Sequence, residues 1–184
     1  MRALLAVLLA VAVLAAANVL NNRLAPGAYV VTCICAATAL LLLARWDGCT
    51  WSDLGLGRDS IRRGLAWAGV AALIVLVVYT VAALLPLVRT VFEDDRAGGA
   101  NVPRTLWNVL VRIPLGTVLL EETAFRGVLY AMLARRYGVA KAIAASSLAF
   151  GFWHILPSWN LASRNAAVEA LVGNGPAAPL LVLT

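Results

Sequence analysis

Apolar residues fall in long runs separated by short polar breaks, and the length of each run is informative. About 20 apolar residues carry a helix across a hydrocarbon layer roughly 30 Å thick. The first run spans Ala3 to Val19, and the break Asn21-Asn22-Arg23 with Pro26-Gly27 leads into a second, Ala28 to Ala44. The third, the clearest, extends from Gly64 to Leu87. A fourth, from about Leu106 to Leu120, is interrupted by Arg112 and Pro114 and flows straight into Glu121-Glu122. A polar-faced helix continues to about Tyr137, a fifth apolar run covers Val139 to Leu156, and a last piece begins near Ala166. The pattern predicts an all-α fold, a polytopic transmembrane helical bundle with five to six hydrophobic segments.

The intervening stretches read as loops. Trp46–Arg63 has the tryptophans, aspartates and glycines of an interfacial segment, and Arg89–Arg104, with Gly98-Gly99 and Pro103, reads as a flexible outer loop. The first run has a rival reading as a secretory signal peptide, because Met1-Arg2 precede it and Ala15-Ala16-Ala17 sit near its end. Its length and the spanning run that follows favour an uncleaved helix. At the other end, Pro179 to Thr184 looks like an apolar run cut short, as in a truncated chain.

Composition strengthens this picture. The chain is 62% hydrophobic and 13% charged, with a mean hydropathy of +0.88. Soluble domains carry about 25% charged residues, and one of 184 residues lacks the interior to hide this apolar surplus. The net charge of +6 could suggest nucleic acid, but the basic residues are scattered between apolar runs rather than clustered beside aromatics, so no nucleic-acid partner is expected. Their distribution sets the expected orientation. With a cytoplasmic N-terminus, Arg2, the Arg45/Arg58/Arg62/Arg63 loop and the Arg135/Arg136/Lys141 turn face inward, eight charges against five on the other side. The expectation is a multi-pass protein of the cell membrane with the lipid bilayer as its solvent. Cys33, Cys35 and Cys49 form no metal-ligand spacing with the single histidine, and no disulfide is expected.

Charged residues inside apolar segments are costly and by default point to function. In Leu119-Leu120-Glu121-Glu122-Thr123-Ala124-Phe125-Arg126-Gly127, Glu122 and Arg126 stand at i and i+4, the favourable order for a helical ion pair. Glu121 is turned about 100° from Glu122 and cannot share that contact as easily. One carboxylate is thus held as an ion while the other is left to act as a base, a division of labour used in catalysis. An ordinary surface ion pair at a helix end explains the spacing equally well. The second feature is Phe150-Gly-Phe-Trp-His154, in which Phe150 and His154 share a helix face. A lone histidine in such a run is more often a hydrogen-bonded core residue than a catalyst.

Together, Glu121-Glu122-x-x-x-Arg126 and Phe150-x-x-x-His154 resemble the first two motifs of the CAAX-prenyl-protease and bacteriocin-processing intramembrane endopeptidases, the Abi family. The resemblance includes the flanks Phe125-Arg126-Gly127 and Ser146-Ser147 and covers roughly Leu110 to Leu161. It implies a glutamate-dependent protease in the bilayer, with Glu121 matching the catalytic glutamate, Glu122 and Arg126 its supporting pair, and His154 the first catalytic histidine. It divides the chain into membrane helices and loops at 1–105 and a protease-like core at 106–184. The family's later motif, a second histidine with Asn four residues on, is missing here.

The implied reaction is hydrolysis of a peptide or membrane-protein substrate, prenylated CAAX-type proteins included. Glu121 takes a proton from water and His154 binds the water or the oxyanion. Phe150 supports His154 on its helix face. Ser146 and Ser147 lack the Gly-x-Ser-x-Gly elbow of a serine nucleophile. No cofactor is expected. A divalent metal such as zinc is the alternative, held by two carboxylates and a histidine, but the chain has no His-Glu-x-x-His motif. The rival reading is a non-catalytic membrane protein, an immunity or accessory subunit or a small transporter component in which Glu122 and Arg126 brace helices, or an inactive truncated relative of the family. The expected site lies between the Glu121 and His154 helices, near the cytoplasmic side.

Overall fold

The computed structural model describes residues 2–85 and 101–158. The apolar piece beginning at Ala166, the terminal run from Pro179 and most of the expected outer loop lie outside these residues. Among the described residues every element is helical and no strand occurs. The elements are α1 (Arg2–Val19), α2 (Tyr29–Trp46), α3 (Arg58–Leu84), α4 (Val102–Trp107), α5 (Leu119–Glu121), α6 (Tyr130–Tyr137) and α7 (Val139–Ser158). Four stretches among them are long and apolar enough to cross a membrane: Arg2–Leu24, Pro26–Trp46, Arg58–Leu84 and Val139–Ser158. The chain is a helical membrane protein.

Small residues bring the first two helices together. Ala6, Ala10, Leu14 and Ala17 form the buried stripe of α1, and Cys33, Ala36, Ala37, Leu40 and Ala44 that of α2. In lipid, where apolar side chains gain little by leaving their surroundings, close backbone approach through such residues drives helix association. The three cysteines are free, with Cys33 and Cys49 buried. By contrast α3 buries none of its residues. It starts six residues before the apolar run, because Asp59 in its first turn meets the positive helix end. It stops at Leu84, since a residue before proline, here Leu85 before Pro86, avoids helical backbone.

The fourth run is helical but is not a plain α-helix. Residues 102–137 form one unbroken rod in which α4, α5 and α6 alternate with wider π-type turns at Asn108–Val118 and Glu122–Leu129. Pro114 accounts for the first. It has no N–H for the carbonyl of Leu110, and i→i+5 spacing lets the next residue donate instead.

Tyr29 of α2 lies flat against Gly116 in this stretch, where an added Cβ would sit 2.6 Å from the ring's Cε1. The ring cannot withdraw easily, because its hydroxyl is bonded to Thr117 Oγ1 at 2.9 Å and the Arg112 guanidinium stacks 4.8 Å from its centroid. Gly116→Ala is therefore expected to destabilise the protein by about 1–3 kcal/mol, the usual cost of overpacking. An unchanged thermal midpoint in detergent would rule out this tight contact.

The rod ends at Gly138, whose φ of 82° and ψ of 165° suit glycine alone. The chain reverses there, and α7 packs back along the rod through Ala142 and Ser146, with Ala149, Phe150 and Trp153 further along the same face. The Ser146 hydroxyl donates to the Phe125 carbonyl and ties the two arms together. At the Gly138 end the basic residues converge. Arg2 donates to the Trp46 carbonyl, Arg45 to the Cys49 carbonyl, and Arg136 Nη2 donates to both Asp47 carboxylate oxygens at 2.5 Å. Nearby, Thr50 and Asp53 cap each other's backbone N–H groups, and the bond from the Thr50 N–H holds the Asp53 carboxyl below its ordinary range.

Candidate active site

The Gly138 reversal decides what can meet. Glu121 lies seventeen residues before it and His154 sixteen after it, so the two stand at the same height on facing arms of a helical hairpin. At 1.5 Å per residue that height is roughly 24 Å from the turn.

Glu121 is partly buried, with 18% of its side chain exposed. Its Oε1 accepts a hydrogen bond from Trp153 Nε1 at 3.0 Å and lies 3.8 Å from His154 Nε2. His154 Nδ1 is 2.9 Å from the Phe150 carbonyl. A carbonyl only accepts, so Nδ1 carries a hydrogen, and Nε2 is the ring atom turned toward the carboxylate. With Nε2 as an acceptor, the 3.8 Å gap to Glu121 Oε1 suits a water that donates one proton to each. Phe150 also meets the imidazole edge to face at 4.5 Å. Behind the site Phe125 packs edge to face on Phe150 and Trp153, at 5.2 and 5.9 Å, which fixes the rotamers of the α7 residues.

Glu122 and Arg126 form the i,i+4 ion pair that their spacing suggests. Arg126 is 70% and Glu122 47% exposed. Charges this open inside an apolar stretch persist only where water or a partner reaches them. Both line a cavity of about 500 Å³ whose walls include Leu41, Leu54, Pro114 and Leu119. Arg126 also borders a second cavity of about 120 Å³, shared with Glu121, Ser146, Ser147 and Phe150. Arg126 thus stands between the larger cavity and the Glu121 carboxylate.

Sequence reasoning missed two contributors. Trp153 was passed over as part of an apolar run, although an indole N–H inside a membrane helix needs an acceptor and is a signal in itself. Tyr29 comes from α2, and nothing local ties it to the site. Its hydroxyl is bonded to Thr117, four residues before Glu121 on the rod, and also on α2 Cys33 Sγ accepts from Asn21 Nδ2 at 3.2 Å. Among the described residues no three His, Cys, Asp or Glu side chains gather as a metal-ligating group.

Residues 103–179 match the family model described as Rce1-like, type II CAAX prenyl endopeptidase Rce1-like. The match falls on the segment that carries both motifs and names the same group of membrane endopeptidases that they resemble. Neither a curated protein nor a solved structure gives a match to the chain.

Proposed function

We propose that this membrane protein, with its Rce1-like segment, is an intramembrane endopeptidase that hydrolyses membrane-associated peptide substrates, prenylated CAAX-type chains included, by glutamate-activated water. The observation that carries the reading is the Glu121 carboxylate facing His154 Nε2 at 3.8 Å, with the Trp153 N–H fixing the same oxygen. A water between the two acceptors is oriented with its lone pairs outward. Glu121 takes one of its protons as the oxygen attacks the substrate carbonyl, and returns a proton to the departing amine. The Glu121 cavity holds the remaining water, and the larger one beyond Arg126 admits the substrate. Arg126 and Ser147, at the edge of the Glu121 cavity, are placed to meet the developing oxyanion. No metal enters this scheme, and a divalent ion remains the alternative activator. The basic end at Arg2, Arg45 and Arg136 faces the cytoplasm in this reading.

The test is cleavage by the purified protein in liposomes, with prenylated and unmodified membrane peptides, in ¹⁸O-labelled water. A single label in the new carboxyl group and insensitivity to serine- and thiol-directed reagents are expected. A trapped acyl-enzyme would refute the reading. Trp153→Phe keeps the aromatic wall but removes the donor to Glu121. A hydrogen bond to a charged group contributes about 1.5–3 kcal/mol, so kcat should fall by about 10–100-fold with KM little changed. A wild-type kcat would mean that the indole does not hold the base.

A further inference from the structure

α7 contains Pro157 near its end. Proline has no N–H, so the carbonyl four residues earlier, that of Trp153, loses its α-helical partner. A bare carbonyl in hydrocarbon is costly, and the missing donor comes from another helix. Asn18 Nδ2 of α1 donates to the Trp153 carbonyl at 3.0 Å, across 135 residues of sequence. The orientation of this amide is itself determined. Asn22 Nδ2 donates to Asn18 Oδ1 at 2.7 Å and to the Asn18 carbonyl at 2.9 Å. With its oxygen engaged as an acceptor, Asn18 can turn only its NH₂ end to α7. The residue it grips is the one whose indole holds Glu121, and the next residue is His154.

We propose that Asn18 is a positioning residue for the Glu121 site, a clasp between α1 and the carbonyl that Pro157 leaves free. Its effect on turnover rests on the endopeptidase reading above; the clasp itself does not. α1 thereby contributes to the site through a residue that neither motif contains. The partnership is conditional. Restoring an N–H at position 157 gives the Trp153 carbonyl its helical donor back, and Asn18 then becomes dispensable.

The experiment uses the full chain in detergent micelles with ¹⁵N-labelled tryptophan indoles, the Trp153 signal being assigned with Trp153→Phe. Asn18→Ala should move the Trp153 indole resonance, and Asn18→Leu, which keeps the branched shape of asparagine and is well tolerated in a membrane helix, should move it likewise. In a Pro157→Ala background neither substitution should move it. In liposomes, Asn18→Ala should lower kcat by about 10–100-fold with little change in KM, and by less than about twofold once Pro157 is replaced. An indole signal indifferent to both Asn18 substitutions, or shifted equally in the two backgrounds, overturns the clasp. The expected indole pattern in a protein that cleaves no peptide would instead refute the endopeptidase reading and leave the clasp standing.

Discussion

Glu121→Gln is expected to lower peptide cleavage by at least about 100-fold while leaving expression and membrane insertion unchanged. The substitution is nearly isosteric, and its amide oxygen can still accept from Trp153 Nε1 and keep the side chain in place. What is lost is the ability to take a proton. The neighbouring change Glu122→Gln should have the smaller effect, because it removes an exposed ion pair whose worth is at most about 1 kcal/mol. His154→Ala should resemble Glu121→Gln, since it removes the second acceptor for the water. Turnover by the three variants in liposomes, set against their insertion levels, checks the ordering. Equal activity in Glu121→Gln and the parent would remove Glu121 from the mechanism.

The largest effect on stability is expected at the other end of the bundle. Asp47 is only 3% exposed and Arg136 22%, and the guanidinium binds both carboxylate oxygens at 2.5 Å. Asp47→Ala leaves the partly buried guanidinium with only the Met132 carbonyl, at 2.7 Å, as a hydrogen-bond partner. Breaking one side of a buried pair typically costs about 3–5 kcal/mol, much more than deleting an exposed one. Unfolding in detergent, followed by thiol labelling of buried Cys33 and Cys49, should show a clear drop in midpoint. Replacing both partners with apolar residues should recover most of the loss. A midpoint that does not move on Asp47→Ala would mean that water already reaches the pair.

Much of the site was legible because its geometry is local. A hairpin reversing at Gly138 brings residues equidistant from the turn together, and the Glu122–Arg126 pair follows from helical spacing. The all-helical fold followed from run length alone. The contributions of α1 and α2 were not legible, because Asn18 and Tyr29 reach the site by tertiary packing, which leaves no periodic trace. The fourth run was read as an interrupted span. It is part of a continuous rod, since π spacing absorbs Pro114 instead of ending the helix.

The hairpin also behaves as a pair of tweezers. Its pivot is Gly138, and its tips, Glu121 and His154, lie roughly 24 Å out along the arms. With a lever of that length, a change of about 5° at the pivot separates the tips by about 2 Å, and about 1 Å of misplacement can cost on the order of 100-fold in rate. A substitution at Gly138 therefore bears on the distant carboxylate without touching it, working against the Ser146–Phe125 bond that ties the arms.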